Sequence, residues 1–344
     1  MTKGDKISAD EIALYDRQIR LWGLAAQTRM RGSNILIINI GALANEVAKN
    51  IVLAGIGSLT VLDNKIVEDI DLGAQFFIEQ ADIGSNRAEA ALPRIQNLNS
   101  RVSVIADPSD FREKSNEFFA QFDVIVGTEL GLNDLVWVNE KARKNNKPFY
   151  AGSVIGFYGF IFADLIKHQF SIQRDKGNIS TKIGPETNTR TVIDVVIKKE
   201  DQVVKEIVTK QEVYKPLSES IKSNNLSKLR PRQQLRVSPV LPALLAAWQF
   251  EITSGKKPTE VESAELFNLA LQSTRSLGLP VGIINQSFVS SFVRNFATEL
   301  SPVAAILGGV LGQDILNFLG QREQPIQNWV VFDGDGSLAP IYAL

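Results

Sequence analysis

Cysteine is absent from the 344-residue chain and histidine occurs once. Without a thiol there is no cysteine nucleophile, no disulfide and no thiolate zinc site. The one histidine, His168 in DLIKHQF, has no second imidazole with which to make a metal pair or a triad, and after an expected strand it reads as a surface residue. Long apolar runs are lacking too: no stretch approaches the ~18 residues of a membrane helix. The opening MTKGDKISADE has no apolar signal-peptide core, so the expectation is a cytoplasmic or nuclear protein. Charge is nearly balanced, 37 Lys and Arg against 38 Asp and Glu for a net of −1, which gives no general pull toward nucleic acid. What is present, 44% hydrophobic and 22% charged residues, suits a globular chain with a large core, either about two domains or one domain with a big insertion.

Near the N-terminus, Ser8-Ala9-Asp10-Glu11 reads as a capping box. Ile12, Tyr15, Ile19, Trp22 and Ala26 then recur at helical spacing, predicting one helix that buries this stripe. Arg17 and Arg20 of YDRQIRLWG fall off it. Asp16 stands four residues before Arg20, so an exposed ion pair is expected there. Arg17 has no such partner on its C-terminal side, and spacing alone reads both as solvated arginines.

SNILIINI (33–40), a helical stretch NEVAKNIVLAG and SLTVLDN (58–64) make a βαβ unit that ends at Asp63. RVSVIA (101–106) and FDVIVGT (122–128) read as further strands, NDLVWVNEKARKNN as a helix, and 147–165 as strand, turn and strand. The fold class is therefore α/β, an open and mainly parallel Rossmann-like sheet with flanking helices. From about residue 170 the composition turns polar, with β-type runs, a basic segment KSNNLSKLRPR that reads as a solvated loop or an import signal, and two helices. Residues 171–290 are taken as a large mixed insertion. The apolar helix 299–320 and the strand NWVVFDGDG return to the first sheet, giving one domain from 1–170 and 291–344.

A strand-to-helix turn that binds nucleotide needs glycine where backbone approaches phosphate. The three positions of G-x-G-x-x-G hold Gly41, Leu43 and Glu46, so only the first glycine survives. Leu43 adds bulk and Glu46 adds negative charge, expected in the first helical turn. Asp63 stands where such folds place a ribose-binding carboxylate, although a strand-end Asp also serves as a cap. The favoured reading is a domain that has kept its packing and lost its ligand. A nicotinamide dehydrogenase fits poorly, given the broken glycine pattern and no residue set for hydride transfer.

YDRQIRLWG, the Gly turn, NIVLAGIGSLTVLD, GAQFF, IGSNRAEAA, a LNS segment, and SPVAAILGGVLGQDILNFLG followed by FDG together resemble the adenylation fold of the ubiquitin-like-modifier activating enzymes, over nearly all of 8–168 and 298–335. Within that family the chain is similar to the small, non-catalytic subunits of heterodimers that activate a SUMO-like modifier; neddylation-type regulatory subunits share the opening motifs. The resemblance implies that Asp63 matches an ATP-site acid, whereas Asp71, Ala74 and Arg87 replace the family's Asn, Arg and Lys, and Leu130 replaces a magnesium-binding Asp, with Glu129 adjacent. It implies that ATP and magnesium sit in a larger catalytic partner and that this chain binds neither and holds no metal. It implies that Arg17 reaches across to the partner's ATP, and that the complex works chiefly in the nucleus. A self-sufficient homodimeric adenylyltransferase and an interaction scaffold without a chemical role are the competing readings.

Overall fold

The Ser8 hydroxyl accepts from the Glu11 N–H at 3.2 Å and the Glu11 carboxylate accepts from the Ser8 N–H at 2.9 Å, so the expected capping box opens the first helix, α1 (Ala9–Leu14). The single expected helix is instead three pieces, α1, α2 (Asp16–Trp22) and α3 (Leu24–Arg31). The first break has a packing cause. The Tyr15 ring lies over Gly55, where a Cβ would come within 2.5 Å of Tyr15 Oη, and the hydroxyl accepts from Asn99 Nδ2 at 2.8 Å. The second is Gly23, whose φ of 84° lies in the left-handed region. Ile12 of the expected stripe stays 40% exposed, while Tyr15, Ala26 and Met30 are buried. The computed structural model describes residues 7–177, 179–200, 203–296 and 298–344.

Strands and helices then alternate: β1 (Asn34–Ile38), α4 (Ala42–Leu53), β2 (Ser58–Leu62), α5 (Arg87–Gln96), β3 (Ser103–Asp107), α6 (Asn116–Ala120), β4 (Val124–Thr128), α7 (Leu132–Lys144), β5 (Phe149–Ile155) and β6 (Tyr158–Asp164). A second, antiparallel sheet in the order β7-β10-β9-β8 is built from β7 (Lys167–Asp175), β8 (Gly184–Pro185), β9 (Arg190–Glu200) and β10 (Val203–Val213). Five helices follow, α8 (Leu217–Ser220), α9 (Pro231–Gln234), α10 (Val240–Ser254), α11 (Ser263–Ser276) and α12 (Gln286–Asn295), and the chain closes with α13 (Ser301–Gly320), β11 (Trp329–Asp333) and β12 (Ile341–Tyr342).

The main sheet runs β12-β11-β6-β5-β4-β1-β2-β3. β3, β2, β1, β4 and β5 are parallel; β6, β11 and β12 are antiparallel, so β11 does return to the first sheet. One apolar layer joins this sheet to α4, α5 and α13, and a second joins its other face to α7 and to α10, α11 and α12 from the 171–290 stretch. By length and composition α13 could cross a membrane, contrary to the expectation that no stretch could. Its apolarity has a core explanation: Val303, Leu307, Leu311 and Ile315 are buried, and Gly308 and Gly312 let the helix lie close along Glu46 and Asn50 of α4.

His168 also departs from expectation. It is 5% exposed, with its ring centroid 4.7 Å from Phe318 and 6.2 Å from Phe170, and burial pulls its imidazole down to about 4. It is a neutral core residue because the antiparallel pairing of β7 and β10 turns it, with Phe170, to the covered face of the second sheet.

Candidate functional site

In a parallel α/β sheet the ligand crevice lies beyond the carboxyl ends of strands, where the strand order reverses. Here that point is between β1 and β4. The turn after β1 is pinned to β4, with Asn39 Nδ2 donating to the Thr128 carbonyl at 2.8 Å and the Thr128 hydroxyl donating to the Asn39 carbonyl at 2.5 Å. Gly41 is then the N-cap of α4. Asn45 holds both sides of the crevice, donating to the Gly41 carbonyl at 2.8 Å and accepting from the Phe76 and Phe77 N–H groups at 3.1 and 3.0 Å.

The residues singled out in the sequence lie around this turn, but several face away from it. Leu43 is fully buried and turned inward, so that a Cβ on Gly152 of β5 would lie 2.8 Å from its Cδ2. Glu46 is not in the first turn of α4, which contains no acid. It sits one turn further along, paired with Lys49 and packed beneath Gly308 of α13. Asp63 is fully engaged: Oδ2 accepts the Ile40 N–H at 2.8 Å, Oδ1 accepts the Lys65 N–H at 2.9 Å, and Arg87 Nε stands 3.2 Å from Oδ2. The cap reading of Asp63 therefore describes its bonds.

Arg87 is placed by its helix. Asn86 caps α5, its Oδ1 accepting from the Ala88 N–H at 2.9 Å, which leaves Arg87 as the first helical residue, pointing into the crevice. There its guanidinium meets Asp63, Asp71 at 3.5 Å and the Ile40 carbonyl. Asp71 also accepts from Gln75 Nε2 at 2.7 Å, and Ala74 offers no charge beside it.

Glu129, next to the absent metal acid, has a φ of 53° and turns its carboxylate onto β5, accepting from the Ser153 hydroxyl at 2.5 Å and the Val154 N–H at 2.8 Å. Burial, then the charge of Glu299, pushes its carboxyl up to about 8. Glu299 is the residue that sequence reasoning missed. Its Oε2 accepts the Ala42 N–H, the first of α4, at 3.0 Å across 257 residues of chain. Burial chiefly raises its carboxyl, and Arg87 and Lys65 oppose that rise. Lys65 is itself pulled down, by burial first and then by the Arg87 charge. These residues do not fit a nucleotide and its magnesium: the point where an oxyanion would meet α4 is taken by a carboxylate, and the nearby acids are bonded within the chain.

Arg17 is elsewhere, on α2, a helix with no buried residue. Its side chain is exposed and, among the described residues, has no hydrogen bond or ion pair. Arg20 makes the expected pair, 2.9 Å from Asp16 and exposed on both sides.

Residues 15–337 match the ThiF family. The chain is a ThiF family member. This ThiF protein is 38% identical over 336 residues to the Saccharomyces cerevisiae protein named DNA damage tolerance protein RHC31, covering 96% of each chain. It is 36% identical to the human protein named SUMO-activating enzyme subunit 1, over 96% of this chain and 94% of that one, and 36% identical to the Schizosaccharomyces pombe DNA damage tolerance protein rad31, over 98% of both. Among solved structures, Escherichia coli MccB crystallised with succinimide aligns with a TM-score of 0.53 over 96% of this chain and 71% of that one. At 13% identity that likeness concerns the ThiF fold alone.

Proposed function

We propose that this chain is the non-catalytic subunit of a heterodimeric activating enzyme for a SUMO-like modifier. The observation that carries the reading is similarity over nearly the full length to proteins named SUMO-activating enzyme subunit 1. In the reaction, a C-terminal carboxylate oxygen of the modifier attacks the α-phosphorus of ATP and pyrophosphate leaves. A cysteine thiolate then attacks the acyl carbon, forming a thioester and releasing AMP. With no cysteine, this chain cannot be the thioester carrier. Its crevice, closed by Glu299 and Arg87, supports assigning ATP and magnesium to the larger subunit.

Arg17 supplies a guanidinium in trans. It presents a fork of donors to phosphate oxygens, so it can stabilise charge that builds as pyrophosphate departs. Its exposure, and its lack of a partner among the described residues, support this role. Uncovered apolar side chains supply a contact surface: Leu21 on α2 is 68% exposed, Leu24 on α3 49%, and Ile306 on α13 48%. The complex acts in the nucleus.

The test reconstitutes this chain with the large subunit and measures ATP–pyrophosphate exchange and thioester formation. Both activities are expected only in the mixture. Arg17→Ala should slow adenylation by about 10–1000-fold while the two chains still co-purify, and Arg17→Lys should recover part of the loss. An unchanged rate in the alanine variant removes the role in trans, and full activity of the large subunit alone removes the heterodimer reading.

A further inference from the structure

We propose that the anion seat at the N-terminus of α4 is occupied in cis, with the Glu299 carboxylate sitting where a strand-turn-helix of this kind would hold a phosphate. The first N–H groups of a helix have no partner within it and carry the positive end of its dipole, which makes them an anion site. α4 is twelve residues long, and its first N–H, on Ala42, is bonded to Glu299 Oε2.

The surviving glycine fits the same arrangement. A Cβ built on Gly41 would overlap Glu299 Oε1 and lie 3.2 Å from Glu129 Cγ. A side chain at this position would have to displace the Glu299 carboxylate from the end of α4. Leu43, by contrast, points into the core and does not fill the seat.

Charges of both signs surround Glu299, and the Glu129 carboxyl beside it opposes a second anion. Arg87 and Lys65 attract Glu299, and Asp71 opposes them. Lys257, reaching in from beyond α10, lines with Glu129 and Ser153 a narrow cavity beside the turn. Asp63 and Asp71 pair with Arg87, and Glu251 lines the same cavity as Lys257, so removal of Glu299 takes away one of the carboxylates that face Arg87 and Lys65.

Placement of the carboxylate follows from the fold. Glu299 lies in the stretch that ends α12 and begins α13. Thr298 is anchored there, its carbonyl accepting the Gly156 N–H at 2.7 Å, and α13 runs along α4 through Gly308 and Gly312. The same helix pairing that forms the core delivers the carboxylate to the end of α4.

The inference stands apart from the heterodimer reading and is tested on this chain alone. Glu299→Ala and Glu299→Gln variants would be titrated with inorganic phosphate and pyrophosphate at constant ionic strength, following Tm and 31P line widths. Wild type should be indifferent. Glu299→Ala should gain a saturable rise of about 1–2 °C with matching line broadening, because a ligand that binds only the folded state raises Tm. If alanine fails to fold, glutamine decides: it keeps the acceptor but not the charge, so phosphate should raise its Tm by less. Equal phosphate binding by wild type would show an open seat and overturn the proposal. So would a folded Glu299→Ala or Glu299→Gln that gains nothing.

Discussion

Replacing Arg87 by leucine removes the cation that pairs with both Asp63 and Asp71 in the crevice. Asp63 is 4% exposed and Arg87 8%, so their charges are poorly screened by solvent. Breaking a buried pair from one side costs about 3–5 kcal/mol, because the other charge stays behind unpaired. Two features place Arg87→Leu near the lower end of that range. Asp63 keeps the N–H bonds from Ile40 and Lys65, and Asp71 keeps the amide of Gln75. Against that, the Ile40 carbonyl loses its donor, worth about 1 kcal/mol. The expected loss is about 3–4 kcal/mol. A chain of 344 residues unfolds with an entropy of about 0.7 kcal/mol/K, so Tm should fall by about 4–6 °C. Arg87→Lys keeps the charge but cannot serve Asp63, Asp71 and the Ile40 carbonyl together, and should lose about half as much. Urea unfolding followed by tryptophan fluorescence measures all three proteins. A leucine variant within about 1 kcal/mol of wild type, or a lysine variant as weak as leucine, would refute the claim that this buried ion cluster stabilises the crevice.

Two further predictions concern pH. The Glu129 carboxyl sits at about 8 when folded against 4.5 ordinarily, so the fold keeps a proton that the unfolded chain gives up. Stability from this residue is present below about 4.5 and is lost as pH rises toward about 8. Glu129→Gln, uncharged throughout, should show less of that decline when urea midpoints are compared at the two ends of the window; parallel curves would contradict the burial argument. His168 acts in the opposite sense, with its imidazole at about 4 against 6.5. The unfolded chain takes up a proton that the fold refuses, so stability falls as pH drops from 6.5 toward about 4. His168→Phe, which keeps a ring beside Phe318, should remove that acid sensitivity; an unchanged acid limb would place the sensitivity elsewhere.

The parallel strands and the helix between β1 and β2 were legible because each strand is a short apolar run and the helix an amphipathic stretch. The capping box at Ser8 and the pair between Asp16 and Arg20 were legible because both are local. Misreadings came from packing. Nothing in the spacing of Ile12, Tyr15 and Ile19 reports that Tyr15 leaves the helical stripe to cover Gly55 and meet Asn99, 84 residues away. The polarity of His168 argued for the surface, and only the register of β7 against β10 puts it under cover. At the crevice, the loss of two glycines was visible, but the group that closes it was not. Glu299 precedes α13 as an ordinary acid in a loop, and its role exists only once α13 lies on α4.

The N-terminal pieces and the crevice are linked by what each leaves unfinished. A seven-residue helix is too short to hold itself together in water, and α2 buries no residue of its own. It is held at its ends, by Tyr15 on one side and by Ala26 and Met30 of α3 on the other. Within this chain such a bracket gains little from the apolar Leu21 and Leu24 it displays, and nothing from Arg17. The crevice is the reverse case, since Arg87 meets Asp63 and Asp71 there and Glu299 accepts the Ala42 N–H. Among the described residues Arg17 has no partner, whereas the first N–H of α4 is already held by Glu299.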